Sequence, residues 1–131
     1  MRIGAALVAG ALLAACAAEV TRVPATLRPD VPADARPVVA EADATVLLDS
    51  HFERTIRKGS RWVQVGELPQ GRVFRALGDP FTVEGAHVHE AFLVIGPDGR
   101  LAGFYLPVER AFAPLSTQPI VRMTIDREVK R

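Results

Sequence analysis

The residues best suited to bind a metal are two histidines, His87 and His89, separated by one residue. Alternate side chains of a β-strand point to the same face, so the two imidazoles could lie side by side. Imidazole suits zinc and copper, and His51 or a carboxylate could complete a site. The same pair also fits the solvent-exposed end of a half-buried strand. A copper- or zinc-binding protein is therefore one alternative function.

The tripeptide Asp49-Ser50-His51 contains the residue types of a hydrolytic triad. Triad members meet through the fold and not by adjacency, and no serine here lies in a Gly-x-Ser-x-Gly elbow. The chain also has no Walker loop, dinucleotide fingerprint or His-Glu-x-x-His motif. We therefore predict a polar β-turn at this tripeptide and a protein that is not an enzyme.

Two segments are candidates for contact with a partner. The first has four cations between Arg54 and Arg61 with Trp62 beside them, and the second is Gly103–Glu109 with adjacent aromatics. The alternatives are a solvated basic face and a two-sided core that buries both aromatics. From exposed aromatics and cations, which are frequent at interfaces, we predict four partner-binding residues: Arg57, Arg61, Trp62 and Tyr105.

The one cysteine closes the run Leu13-Ala14-Ala15-Cys16, after a single charge at Arg2 and an apolar stretch. These are the parts of a secretory signal, and the stretch is shorter than the ~20 residues that a membrane-spanning helix needs. The run resembles the lipobox of bacterial lipoproteins. The resemblance implies a signal peptide over 1–15, removed in the mature protein, and a lipid on Cys16.

The same resemblance implies a location. In that family an aspartate after the cysteine favours the inner membrane, and Ala17 follows here, so we expect an outer-membrane lipoprotein facing the periplasm. Two or more acyl chains hold a protein stably on a membrane. With Cys16 lipidated no thiol remains, so we expect no disulfide, no thiolate nucleophile and no cysteine metal ligand in the mature domain. Apart from the alternative of a metal at His87 and His89, we expect no cofactor beyond the covalent lipid.

The charge of the chain argues against nucleic acid as a partner. The sequence has 16 basic and 15 acidic residues, and removal of Arg2 with the signal leaves equal numbers of each sign. Nucleic-acid binding needs clustered excess positive charge.

Residues 16–44 are predicted to be a lipidated cysteine followed by a proline-rich linker, with no aromatic residue before Phe52. Prolines and few large apolar groups favour an extended tether. The alternative is an N-terminal arm that docks partly on the domain.

Residues 45–131 are predicted to form one small β-domain. Its signals are short apolar or alternating runs divided by turn residues, with Gly96-Pro97-Asp98-Gly99 the strongest turn. The predicted strands are 45–48, 52–56, 61–68, 73–77, 81–84, 87–95, 101–106 and 120–125, with a helical turn or bend at 108–112. The spacing predicts a small antiparallel barrel or sandwich.

Two further resemblances bear on that domain. The segment Trp62–Phe74 is similar to part of a bacterial SH3-like repeat, which implies a small barrel. The predicted domain also resembles the small β-barrel inhibitors of lysozyme found in periplasms. This resemblance implies a second alternative function, the inhibition of a cell-wall hydrolase. The main hypothesis is a non-catalytic, lipid-anchored envelope protein that binds a protein partner or peptidoglycan through its β-domain.

Overall fold

A computed structural model describes residues 18–127 of the chain. Short strands separated by tight turns account for its regular structure, and no helix occurs among these residues. The strands are β1 Val23–Pro24, β2 Val38–Ala40, β3 Ala44–Leu47, β4 Glu53–Ile56, β5 Arg61–Leu68, β6 Gly71–Ala76, β7 Thr82–Glu84, β8 Val88–Glu90, β9 Phe92–Ile95, β10 Leu101–Leu106, β11 Ala111–Pro114 and β12 Met123–Ile125.

Eight strands form one antiparallel sheet in the order β1-β11-β10-β9-β6-β5-β2-β12. Two two-stranded ribbons, β3-β4 and β7-β8, are separate from it. The predicted mainly-β, antiparallel class is confirmed. Among the described strands the large sheet does not close into a barrel, because β1 and β12 remain its two edges. The arrangement is sandwich-like.

The large sheet buries both of its faces. One face carries Trp62, Leu93 and Phe104, and it packs with Val46 of β3 and Val83 of β7 in one hydrophobic cluster. The opposite face carries a smaller cluster that includes Val73, Phe92, Tyr105 and Phe112. Strand β10 lies centrally between its neighbours, which explains why Phe104, Tyr105 and Leu106 in succession are all buried.

The second face is covered by an N-terminal segment, residues 24–28, which we call the strap. Ala25 and Leu27 pack against the smaller cluster, and Arg28 and Glu67 bond to each other through both backbone amides and carbonyls. The strap passes so close to Gly66 that a Cβ there would lie 2.2 Å from the Arg28 carbonyl oxygen. A glycine is required where two backbones approach this closely.

The predicted linker is therefore wrong for the described part of 16–44. Val20 is only 7% exposed and belongs to the main cluster, β1 pairs with β11, and β2 lies between β5 and β12. The physical reason is that a segment of small apolar residues and prolines can still join the folded domain. Strand β1 lies at a sheet edge, where proline is tolerated. The docked arm is the alternative that the fold supports, and the boundary expected at Thr45 falls inside the domain.

Two predicted elements also differ from the structure. The strand expected at 87–95 is divided at Ala91 into β8 and β9, which belong to different sheets, and the Ala91 amide bonds the Phe81 carbonyl instead. The bend expected at 108–112 is a turn over 107–110, and it is followed by β11. Periodicity alone could not separate a bend from a short strand whose residues are all small or apolar.

Candidate functional site

A buried histidine lies between two glutamates that are distant in sequence. Nδ1 of His89 is 2.6 Å from Oε1 of Glu109, and its Nε2 is 2.9 Å from Oε1 of Glu19. The His89 side chain is 5% exposed, whereas those of Glu19 and Glu109 are 37% and 22% exposed. The Glu19–His89–Glu109 cluster thus links the N-terminal segment, a strand of a ribbon and a turn of the large sheet.

Local structure positions each member of the cluster. Glu19 precedes Val20, whose side chain enters the main core and whose amide bonds the Glu19 carboxylate at 2.9 Å. His89 is the inward residue of β8, and Glu109 lies in the turn between β10 and β11. Gly85 makes room for the N-terminal segment, since a Cβ there would be 2.8 Å from the Val20 nitrogen.

The surroundings of His89 favour its charged form. Burial alone lowers the pKa of His89, but the hydrogen bonds to Glu19 and Glu109 outweigh it, so the pKa is raised above the ordinary 6.5. The pKa of Glu19 is lowered, chiefly by its hydrogen bond with His89. Burial opposes ionisation of Glu109, yet the His89 hydrogen bond and charge still lower the pKa of that carboxyl. Both ring nitrogens face a carboxylate oxygen, and the pKa directions agree in favouring an imidazolium between two carboxylates.

Both ring nitrogens of His89 are engaged within the cluster. An ionised carboxylate only accepts hydrogen bonds, so with both glutamates ionised the two ring nitrogens act as donors. The second oxygen of Glu109, Oε2, is buried with no hydrogen-bond partner among the described residues. The contacts of the cluster fit a structural connection between segments, with His89 as the shared donor.

His87, the other candidate metal ligand, lies apart from this buried connection. Its side chain is 77% exposed, its Nε2 is 3.8 Å from Oε2 of Glu19, and its ring centroid is 6.5 Å from that of His89. Over residues 18–127, no group of three or more histidine, cysteine or acidic side chains is placed to hold a metal ion.

The tripeptide Asp49-Ser50-His51 forms the turn between β3 and β4, as predicted. Two of its side chains bond elsewhere: the Ser50 hydroxyl donates to the Glu84 carbonyl at 2.7 Å, and Asp49 accepts from the Ser116 hydroxyl at 2.9 Å. His51 is exposed and has a φ of 72°, a backbone conformation found in turns. The three side chains therefore do not converge on one another.

Two of the four predicted contact residues are buried, and their prediction as exposed contacts is wrong. Trp62 is 2% exposed in the main core, where its ring packs edge-on against Phe81 and its Nε1 donates to Ser60. Tyr105 is 5% exposed and packs beside Phe92 under the strap. The strap packs on the second face of the sheet and so makes the core two-sided. A linker was predicted for these residues.

The other two predicted residues, Arg57 and Arg61, are exposed near the turn between β4 and β5. Arg61 pairs with Asp126 at 2.6 Å, and the Asp126 side chain is only 9% exposed. Arg57 and the adjacent Lys58 remain at the surface, with the Lys58 amide bonded to Asp43. We call residues 57–60 the basic turn.

Sequence reasoning missed the roles of Glu19 and Glu109. Glu19 lay in the expected linker, and Glu109 ended a segment chosen for its aromatics. Neither residue has a local motif, since the contact with His89 spans 70 residues for Glu19 and 20 for Glu109. The one signal in the sequence was His89 itself, which alternates with the apolar residues of a predicted strand. The sequence did not indicate that this histidine is buried and His87 exposed.

The predicted signal segment 1–15 and the predicted lipidation site Cys16 lie outside the described residues. Within 18–127, no helix is long and apolar enough to cross a membrane. Comparison of the chain with protein-family models, with curated proteins and with solved structures found no match.

Proposed function

We propose that this chain is a non-catalytic, lipid-anchored protein of the bacterial envelope, held at the outer membrane facing the periplasm. Its β-domain would bind a protein partner or peptidoglycan. One observation carries the proposal: Glu19 and Val20, three and four residues after Cys16, are part of the folded domain. Val20 is in the core and Glu19 bonds to His89, so a lipid on Cys16 would hold the domain itself at the membrane.

The sheet order places the N-terminal segment and the basic turn far apart. The N-terminal segment joins the sheet at β1, and the basic turn precedes β5, five strand positions away. At about 4.8 Å per strand, that separation is about 24 Å along the sheet. A lipid at the first edge would leave the basic turn free for a partner.

The chemistry of the basic turn favours an anionic partner. Arg57 and Lys58 are exposed neighbours, and the ion pair with Asp126 engages Arg61. Carboxylates of peptidoglycan stem peptides and acidic patches of proteins both fit such a pair of cations.

The anchor and the partner contact are tested by separate variants of the full chain. Cys16→Ser removes the lipid acceptor, and we expect that protein to leave the membrane fraction. Continued sedimentation of the variant with membranes, as efficient as that of the wild type, would contradict the anchor.

The contact is tested by reversing charge at Arg57 and Lys58 together. The matched control reverses two other exposed cations, Arg36 and Arg75, with the same change in net charge. We expect the first variant alone to lose binding to isolated peptidoglycan sacculi or to a cross-linked envelope protein. Equal retention by both variants would contradict a contact at the basic turn, and the bound fraction distinguishes the two classes of partner.

A further inference from the structure

The most exposed large apolar side chain in the described residues is at the tip of the turn that carries Glu109. Val108 is 80% exposed, and it is the chain neighbour of the glutamate that bonds His89. We propose that this turn, residues 107–110, contacts the membrane, with Val108 entering the lipid headgroup region. The inference rests on the proposed lipid anchor and specifies how the domain is oriented on it.

The length of chain between the lipid site and the domain supports this orientation. Cys16 precedes Ala18 by two residues, which span at most about 7 Å when fully extended. Ala18 lies on the domain, because its carbonyl oxygen would be 3.0 Å from a Cβ at Gly85. A lipid on Cys16 therefore brings the membrane surface to the same side of the domain as the Glu19–His89–Glu109 cluster.

The charges around the cluster fit a phospholipid surface. His89 lies between the two glutamates and, when protonated, compensates part of their charge. Arg22 lies 3.7 Å from Glu19, and exposed Arg110 is two residues from Val108. Arginine guanidinium groups bind phosphate oxygens, so both cations could bind lipid phosphates while Val108 is inserted.

The two next most exposed apolar residues lack this combination. Val88 of β8 is 65% exposed, but its cross-strand partner is the exposed Glu84, a poor neighbour for insertion. Ile125 is 56% exposed on β12, at the sheet edge opposite β1. Val108 lies in the turn between β10 and β11, near the edge strand β1, and Ile125 lies on the opposite edge strand β12. The two residues thus allow a comparison of opposite sides of the sheet.

The test uses the lipidated full chain on mixed phosphatidylethanolamine and phosphatidylglycerol vesicles whose acyl chains carry bromine. Bromine quenches tryptophan only at short range, and Trp62 gives both variants the same buried background. We expect V108W to lose emission and to shift to shorter wavelength on these vesicles. We expect I125W to change no more than the wild type.

Three results would overturn the inference, and they separate it from the anchor. Absence of quenching in V108W protein that floats with the vesicles would contradict the membrane contact but leave the anchor intact. Equal quenching of V108W and I125W would show that the domain has no preferred face on the membrane. Protein that carries no lipid and does not float would contradict both proposals.

Discussion

Oε1 of Glu109 lies 2.6 Å from Nδ1 of His89, and this contact joins the turn before β11 to the ribbon that contains β8. Because His89 also bonds Glu19, one side chain connects three segments of the chain. Removal of that side chain leaves two carboxylates facing a void without their shared donor.

We expect His89→Ala to destabilise the domain by about 2 kcal/mol, the scale of lost hydrogen bonds to charged groups. Urea unfolding followed by the fluorescence of Trp62 measures this change. His87→Ala is the control, since an exposed neighbour with a 3.8 Å contact to Glu19 should alter stability by less than about 0.5 kcal/mol. Similar losses in both variants would contradict a special role for His89.

The cluster also predicts how stability depends on pH. The raised pKa of His89 means that its contribution is complete below the ordinary 6.5 and is lost as pH rises through the folded-state value. The lowered pKa values of Glu19 and Glu109 mean that theirs is complete above the ordinary 4.5 and is lost as pH falls. The stabilisation from the cluster is therefore greatest between about pH 4.5 and 6.5.

Unfolding of the wild type and of His89→Gln across a pH series checks this dependence. The difference in unfolding free energy between the two proteins should be largest inside that window and shrink on both sides. A difference that is constant with pH would show that the three groups do not titrate together in the folded state.

The strap provides a prediction about backbone approach. Gly66→Ala places a methyl group against the Arg28 carbonyl and should cost about 2 kcal/mol, as overpacking of a tight contact does. In the wild type the amides of Arg28 and Glu67 donate to each other's carbonyls. Hydrogen exchange at both amides should be faster in the variant. Unchanged protection at both amides would mean that the strap accommodates the methyl group.

The two arginines near the basic turn should respond differently to truncation. Arg61→Ala removes the 2.6 Å pair with the buried Asp126 side chain and should lower stability by about 1 kcal/mol. Arg57→Ala should leave thermal unfolding unchanged, because Arg57 is an exposed turn residue. If Arg57→Ala destabilised the domain as much, its proposed availability to a partner would be wrong.

Local patterns predicted the fold class and many of its elements. The alternation from Arg61 to Leu68 coincides with β5, and the Gly96–Gly99 turn joins β9 to β10 with Gly99 at a φ of 78°. These features depend on neighbouring residues and are readable from a single sequence. The same reasoning failed where the contacts are distant in sequence.

The N-terminal segment illustrates that failure. Its prolines and small residues are typical of a tether, yet the strap gains its stability from a sheet face built by residues far along the chain. Tyr105 is buried because the strap covers its face of the sheet. The Glu19–His89–Glu109 cluster forms because the start of the N-terminal segment packs on the domain and brings Glu19 to His89. Once the segment was assigned to a linker, neither feature could be predicted.

A lipid on Cys16 is the proposed anchor of the domain. The most direct measurement is the mass of the N-terminal fragment of the full chain after expression in a bacterium and recovery from its membranes. We predict a fragment that begins at Cys16 and carries the mass of a diacylglycerol and an amide-linked acyl chain. A fragment that retains residues 1–15, or an unmodified Cys16 in membrane-bound protein, would contradict the account.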